Sequence, residues 1–236
     1  MPDAIPARLR SAQELQAARD RMVDGQIRPN KVTDRRILDA MRRLPRERFL
    51  PPDVAEGAAL PLVYADADLP LGEGRVLMQP LVIARLLQLA LPRAGERALV
   101  VGCGTGYGAA VLAACGPHVT ALEENAVLAQ TARRMLAETA PEVEVVAGSL
   151  AAGWQAGAPY DLIVIEGAVT AIPPALAPQV APVGGRLVTV LVAGEGTHGG
   201  QAVLAEPSQG KLRPHAEFDC ATALLPTLRV PARFVF

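Results

Sequence analysis

The residues best suited to chemistry lie in Val100-Val101-Gly102-Cys103-Gly104-Thr105-Gly106-Tyr107-Gly108 and, seventeen positions after Gly106, at Glu123. Glycines at 102, 104 and 106 permit a tight turn and let a ligand approach the main chain. The helix expected after the turn has an N-terminus that can stabilise negative charge, including a carboxylate. A carboxylate at Glu123 can accept both hydroxyls of a ribose. The spacing then separates two ligands. A dinucleotide motif in the natural frame requires glycine at the position of Tyr107. The shifted frame Gly104-x-Gly106-x-x-Ala109 fits only by starting one turn late. S-adenosylmethionine suits the G-x-G-x-G spacing directly. It has no pyrophosphate, and its methionine carboxylate and ammonium can lie against the turn.

The elements that must hold these residues alternate from position 84 onward. Helices are expected at Ala84–Leu91, Gly108–Cys115, Ala126–Thr139 and Ile172–Val180. Strands are expected at Arg97–Val101, Val119–Leu122 ending at Glu123, Val143–Ala147, Asp161–Ile165 and Arg186–Val192. Continuous apolar strands alternating with helices imply a parallel sheet covered on both faces. Ala202–Glu206 and Arg229–Phe236 have no helix between them and are expected to pair antiparallel at a sheet edge. Upstream, Leu9, Leu15, Ala18 and Met22 recur at helical spacing, with a break over Gln26–Asn30. Thr33 reads as the cap of a second helix, with Asp34 in its first turn and Pro45 ending it. Residues 51–80 are rich in Pro and Gly and read as irregular or short-strand structure.

Composition narrows the classes further. The chain has 236 residues, a formal charge of −1 and only 3% aromatic side chains. Neither a basic excess nor stacking platforms favour a nucleic-acid partner. No apolar run reaches the ~20 residues of a membrane span. The N-terminus shows no signal-peptide pattern, and Cys103, Cys115 and Cys220 form neither a CxxC pair nor a zinc pattern. The expectation is a cytoplasmic chain with reduced thiols and no metal.

Several motifs together resemble the protein-L-isoaspartate O-methyltransferase family, from about Arg21 to the end. They are Arg46-Glu47-Arg48-Phe49-Leu50-Pro51-Pro52, Tyr64-Ala65-Asp66, Leu69-Pro70-Leu71-Gly72, Gln79-Pro80, the glycine turn with Ala109-Ala110-Val111-Leu112-Ala113, Gly153-Trp154 and Arg233-Phe234-Val235. The resemblance implies an α/β, Rossmann-like seven-stranded class I methyltransferase sheet with an antiparallel C-terminal edge. It implies a helical and irregular extension over residues 1–80 that contributes to the acceptor site, and a cofactor-binding domain over 81–236. It implies S-adenosylmethionine as cofactor and a protein or peptide substrate, methylated on an isoaspartyl carboxylate. The expected cofactor-binding set is Gly102, Gly104, Gly106, Tyr107, Glu123, Glu124, Ser149, Leu150 and Leu77. The expected acceptor-side set is Arg75, Met78, Gln79 and Glu166. A carboxylate acceptor is ionised at neutral pH and needs no general base.

The chain departs from the family where cofactor and acceptor should meet. Val76 and Met78 stand where the family carries Thr and an active-site Ser. Ser149 replaces the usual adenine-contacting Asp, and Glu166-Gly167-Ala168 replaces Thr-Ala. An ionised Glu166 about 5 Å from an acceptor carboxylate would repel it by ~3 kcal/mol at an effective dielectric of ~20. Arg75 could offset this by pairing with the acceptor. The alternatives are a different methyl acceptor on the same scaffold, or a non-catalytic adenosylmethionine-binding protein.

Overall fold

The computed structural model describes residues 11–51, 54, 60–194 and 199–228. Its centre is a seven-stranded sheet in the order β5-β4-β3-β6-β7-β8-β9. The strands are β3 (Arg97–Val101), β4 (His118–Glu123), β5 (Glu144–Ala147), β6 (Leu162–Val169), β7 (Arg186–Leu191), β8 (Gly200–Ser208) and β9 (Lys211–Cys220). The first five run parallel, and β8 and β9 are antiparallel. Successive side chains serve opposite faces of the sheet. Val100 and Val164 join one apolar layer, while Leu99, Val101, Ile163 and Ile165 join the other.

The antiparallel edge differs from the expected one in its partner. β8 pairs with 211–220 through the tight turn Gln209-Gly210, both at positive φ. The expected partner strand, Arg229–Phe236, lies outside the described residues. The sequence hides β9 because it is a largely exposed edge strand without a continuous apolar run. Residues 174–179, expected within a helix, form a 3-10 stretch. Pro178 inside it lacks an amide and obstructs the α-helical bond pattern.

The N-terminal layer covers the first face. Ser11 and Glu14 close a reciprocal capping box and start α1 (Ala12–Met22), which buries Ala18 and Met22. The path stays helical through Val23–Ile27 and Arg28–Asn30 and breaks at Lys31, at φ 69°. The break therefore falls just after Gln26–Asn30 rather than across it. Asp34, not Thr33, caps α2 (Arg35–Arg43), because its carboxylate accepts from the Arg36 amide at 2.9 Å. The Thr33 amide donates instead to Gln88 Oε1.

Within 51–80, β1 (Leu69–Gly72) and β2 (Arg75–Leu77) form a hairpin. Glu73 and Gly74 supply positive φ at its two-residue turn. Helix α3 (Pro80–Leu89) begins four positions before the expected Ala84, since proline is well placed in a first turn. α4 (Tyr107–Ala113) and α5 (Ala126–Thr139) follow the glycine turn and β4.

Arg186, at the start of β7, ties the non-functional end of the sheet together. Its guanidinium donates to both Glu96 oxygens, at 3.0 and 2.8 Å, and to the carbonyls of Ala90, Leu91 and Asp161. Arg186→Met would strip the guanidinium from the largely buried Glu96 carboxylate, which keeps the Arg93 amide, and from the carbonyls of Ala90 and Leu91. We expect a loss of ~3–5 kcal/mol in chemical denaturation. A loss below about 1 kcal/mol would show that water replaces the guanidinium freely.

Candidate active site

Parallel strands end together, so their C-terminal ends line one edge on which a ligand can lie. Here β3 ends in the glycine turn, β4 ends at Glu123 and β6 carries Glu166. Gly102, Gly104 and Gly106 all adopt positive φ, at 76°, 57° and 98°, which is why side chains are absent there.

Glu123 is fully buried and accepts five hydrogen bonds. Its Oε1 takes the amides of Glu124 and Asn125, both at 3.0 Å, and its Oε2 takes the Gly104 amide at 2.8 Å. Arg75 supplies the other two, Nη1 to Oε1 at 2.6 Å and Nη2 to Oε2 at 2.9 Å. Arg75 Nη2 also donates to the Gly102 carbonyl at 2.9 Å. This corrects the expectation for Arg75. In the ligand-free protein it is a buried partner of the expected ribose carboxylate and does not stand free on the acceptor side, because a charge as deep as Glu123 requires a paired donor.

The hairpin that carries Arg75 covers the turn. Leu71 Cδ1 lies 3.1 Å from where a Cβ on Gly104 would sit. The segment 222–228 closes over the same place, with Leu225 against Gly102 and Gly167. Thr227 Oγ1 donates to Glu124, whose other oxygen lies 3.5 Å from the Leu150 amide. Leu150 is fully buried and Leu77 nearly so, whereas Ser149 is exposed.

Asp68 holds this cover in place. Its Oδ1 accepts the Gln79 amide at 2.8 Å, and its Oδ2 accepts Thr222 Oγ1 and the Ala223 amide, both at 3.0 Å. The Gln79 side chain donates to the Ala221 carbonyl. Asp68 and residues 222–227 are the parts that sequence reasoning missed. The single available cue was an acidic residue just before Leu69-Pro70-Leu71-Gly72.

Met78 is packed away at 4% exposure, and its carbonyl accepts from Arg46 Nη2 at 2.8 Å. Arg46 is itself fully buried and stands 5.1 Å from the Tyr107 ring centre. Burial pulls its pKa below the ordinary value. Tyr107 packs edge-on to Phe49, and its buried hydroxyl is pushed up to about 12 by desolvation. Tyr107 is thus a core residue under the turn in this arrangement.

Glu166 keeps partial exposure, but its Oε1 is buried and has no hydrogen-bond partner. It presses on α4 at Gly108, where a Cβ would come within 2.0 Å of Oε1. Desolvation pushes its pKa up to about 8, against the pull of Arg75 and with the help of Glu123. Burial, then the charges of Glu123 and Glu166, also hold the Cys103 thiol well above its usual range. Desolvation thus favours the protonated Glu166 carboxyl near neutral pH in the ligand-free protein. That lessens the repulsion expected between it and an acceptor carboxylate.

A model of the family described as Protein-L-isoaspartate(D-aspartate) O-methyltransferase (PCMT) matches residues 17–204. The chain belongs to that family. It is 39% identical to the protein-L-isoaspartate O-methyltransferase of Methylorubrum populi over 213 residues, covering 90% of this chain and 96% of that protein. Against the protein of the same name from Aeropyrum pernix the identity is 41% over 185 residues, covering 76% and 69%. A solved protein-L-isoaspartate O-methyltransferase superposes with a TM-score of 0.77 at 23% identity, covering 89% of this chain and 67% of that one. A Plasmodium falciparum structure described as a putative member, in complex with S-adenosyl-L-homocysteine, gives 0.68 at 16% identity, covering 89% and 98%. These two likenesses establish the class I methyltransferase fold. By family the chain is an S-adenosylmethionine-dependent methyltransferase. The site has the parts such a cofactor needs: a bare turn, a terminal carboxylate and an acceptor atom on Glu166 without a donor.

The raised Glu166 pKa sets a sign for stability. Below about pH 4.5 the carboxyl is protonated both folded and unfolded. Between 4.5 and about 8 the unfolded chain has released a proton that the folded chain retains, so stability falls as pH rises. Over that range each tenfold drop in proton concentration weakens folding by about 1.4 kcal/mol through this one group. Thermal unfolding should show Tm falling from pH 5 to pH 8 more steeply in the native protein than in Glu166→Gln. Equal slopes would mean that Glu166 titrates normally.

Proposed function

We propose that this chain methylates isoaspartyl carboxylates in damaged proteins or peptides, with S-adenosylmethionine as the methyl donor. The observation that carries the reading is the joined pair of the bare Gly102–Gly106 turn and the buried Glu123 carboxylate, linked by the Gly104 amide at 2.8 Å. The cofactor, when bound, supplies a methyl group activated by a sulfonium. Glu123 accepts the ribose hydroxyls in place of the two Arg75 donors and keeps its three backbone amides. Glycine at 102 and 104 lets the main chain meet the ligand directly. Leu150 and Leu77 supply apolar walls, and Glu124 and Ser149 stand at the polar rim.

The acceptor enters as a carboxylate already ionised at neutral pH, so the protein need not remove a proton. Its task is alignment and exclusion of water. The hairpin β1–β2, Gln79 and residues 221–228 form the cover that performs it, and residues 1–80 contribute the hairpin half of that cover. Met78 shapes this region by packing, since its thioether offers no useful hydrogen bond. No helix among the described residues is long and apolar enough to cross a membrane. The three free thiols support a cytoplasmic setting.

Purified protein with labelled S-adenosylmethionine and an isoaspartyl peptide should form a base-labile methyl ester, and the matching aspartyl peptide should not. Glu123→Gln should weaken cofactor binding about tenfold or more, because a charged acceptor of the ribose hydroxyls is lost. No labile label at saturating cofactor would exclude the isoaspartyl acceptor.

A further inference from the structure

We propose that Glu166 is the residue that receives the α-ammonium group of the bound cofactor; this rests on the cofactor reading above. β3 lies between β4 and β6, and Ile165 stands beside Val101 in register, which sets Glu166 beside Gly102. A ligand that holds its ribose at Glu123, on the β4 side, and lies across the glycine turn extends toward β6. Its amino-acid end then arrives where Glu166 stands.

The local chemistry selects the group. Oε1 of Glu166 is buried without a donor, an arrangement proteins seldom leave unfilled. In the ligand-free protein the nearest cation, Arg75, is held by Glu123 and the Gly102 carbonyl and makes no hydrogen bond to Glu166 Oε1. Gly108 makes room for the carboxyl, since any larger residue there would overlap it. An ammonium brings N–H donors and a positive charge, whereas a sulfonium or thioether brings no N–H. The ammonium alone combines N–H donors with a positive charge, which the adenine amine and ribose hydroxyls lack, so a carboxyl in this position selects the amino-acid end of the ligand.

Protonation follows from the pairing. Without ligand, Glu166 holds its proton, because a buried charge lacking a hydrogen-bond partner is costly. The groups facing it are Cys103 from the turn, Arg75 from β2 and Glu123 from β4, while α4 meets it with bare Gly108. When an ammonium arrives, the carboxyl O–H bond breaks, the proton passes to solvent and the carboxylate remains paired with the cation.

Titration calorimetry tests this in buffers of different ionisation enthalpy. The ligands are S-adenosylhomocysteine and 5′-methylthioadenosine, which lacks the amino acid. Native protein should release close to one proton per S-adenosylhomocysteine at pH 7, and the release should fall away toward pH 9, where Glu166 is already ionised and the ligand amine takes up protons to bind as an ammonium. It should release none with 5′-methylthioadenosine. Glu166→Gln should lose that release and about tenfold or more of its S-adenosylhomocysteine affinity. It should keep its 5′-methylthioadenosine affinity within about twofold. Equal weakening toward both ligands, or tight native binding without proton release, overturns the assignment and leaves the cofactor reading intact. Failure of native protein to bind S-adenosylhomocysteine at all overturns both. The proton-release arm needs no variant, so it stands even if the substitution disturbs folding.

Discussion

The ion pair between Arg75 and Glu123 is the interaction on which the arrangement of the site depends. Glu123 carries a carboxylate at zero exposure, under a turn whose residues 102, 104 and 106 are glycines. Backbone amides from the turn and from the residues that follow satisfy part of it, and a bidentate guanidinium satisfies the rest. Removing one member of such a pair costs ~3–5 kcal/mol, because the other is left buried and alone. Arg75 sits on a strand of three residues in a two-stranded hairpin, an element with little stability of its own. The pair therefore does two things. It neutralises a binding carboxylate, and it fastens the hairpin over the glycine turn.

The remaining cover is organised around that fastening. Asp68, just before the hairpin, receives donors from Gln79 and from residues 222–223, so one carboxylate joins three separate stretches of chain. Leu71 and Leu225 then close over the turn from two sides. Beneath them, Glu166 provides a neutral carboxyl with one unfilled acceptor. The site thus has one carboxylate whose charge is matched within the protein and one whose charge awaits a partner. That division follows from the donors each can reach, five at Glu123 and none at Glu166 Oε1.

The sheet was largely legible because its strands are apolar on both faces and end in recognisable turns. Ala126–Thr139 and Arg97–Val101 have the bounds that periodicity and turn residues imply. Glu123 was legible as a strand-terminal carboxylate at suitable spacing from Gly106. Its partner was not. Arg75 and Glu123 are 48 positions apart, and nothing local marks the contact. The same holds for Asp68, which meets residues 154 and 155 positions away. Glu166 was readable as an unusual charge at a strand end, but its neutrality depends on burial against Gly108, which only packing reveals. β9 was missed because an exposed edge strand needs no apolar pattern.

The central claim is that the ribose of the cofactor replaces Arg75 at Glu123. Side-chain nitrogen NMR of the Arg75 guanidinium, followed during titration with S-adenosylhomocysteine, reads this directly. In free protein the bidentate bond should hold Arg75 rigid, with slowly exchanging Nη protons. At saturation those protons should exchange rapidly and the Arg75 resonance should move to the position of a solvated guanidinium. A saturated complex in which Arg75 keeps its slow exchange and its original resonance would contradict the account.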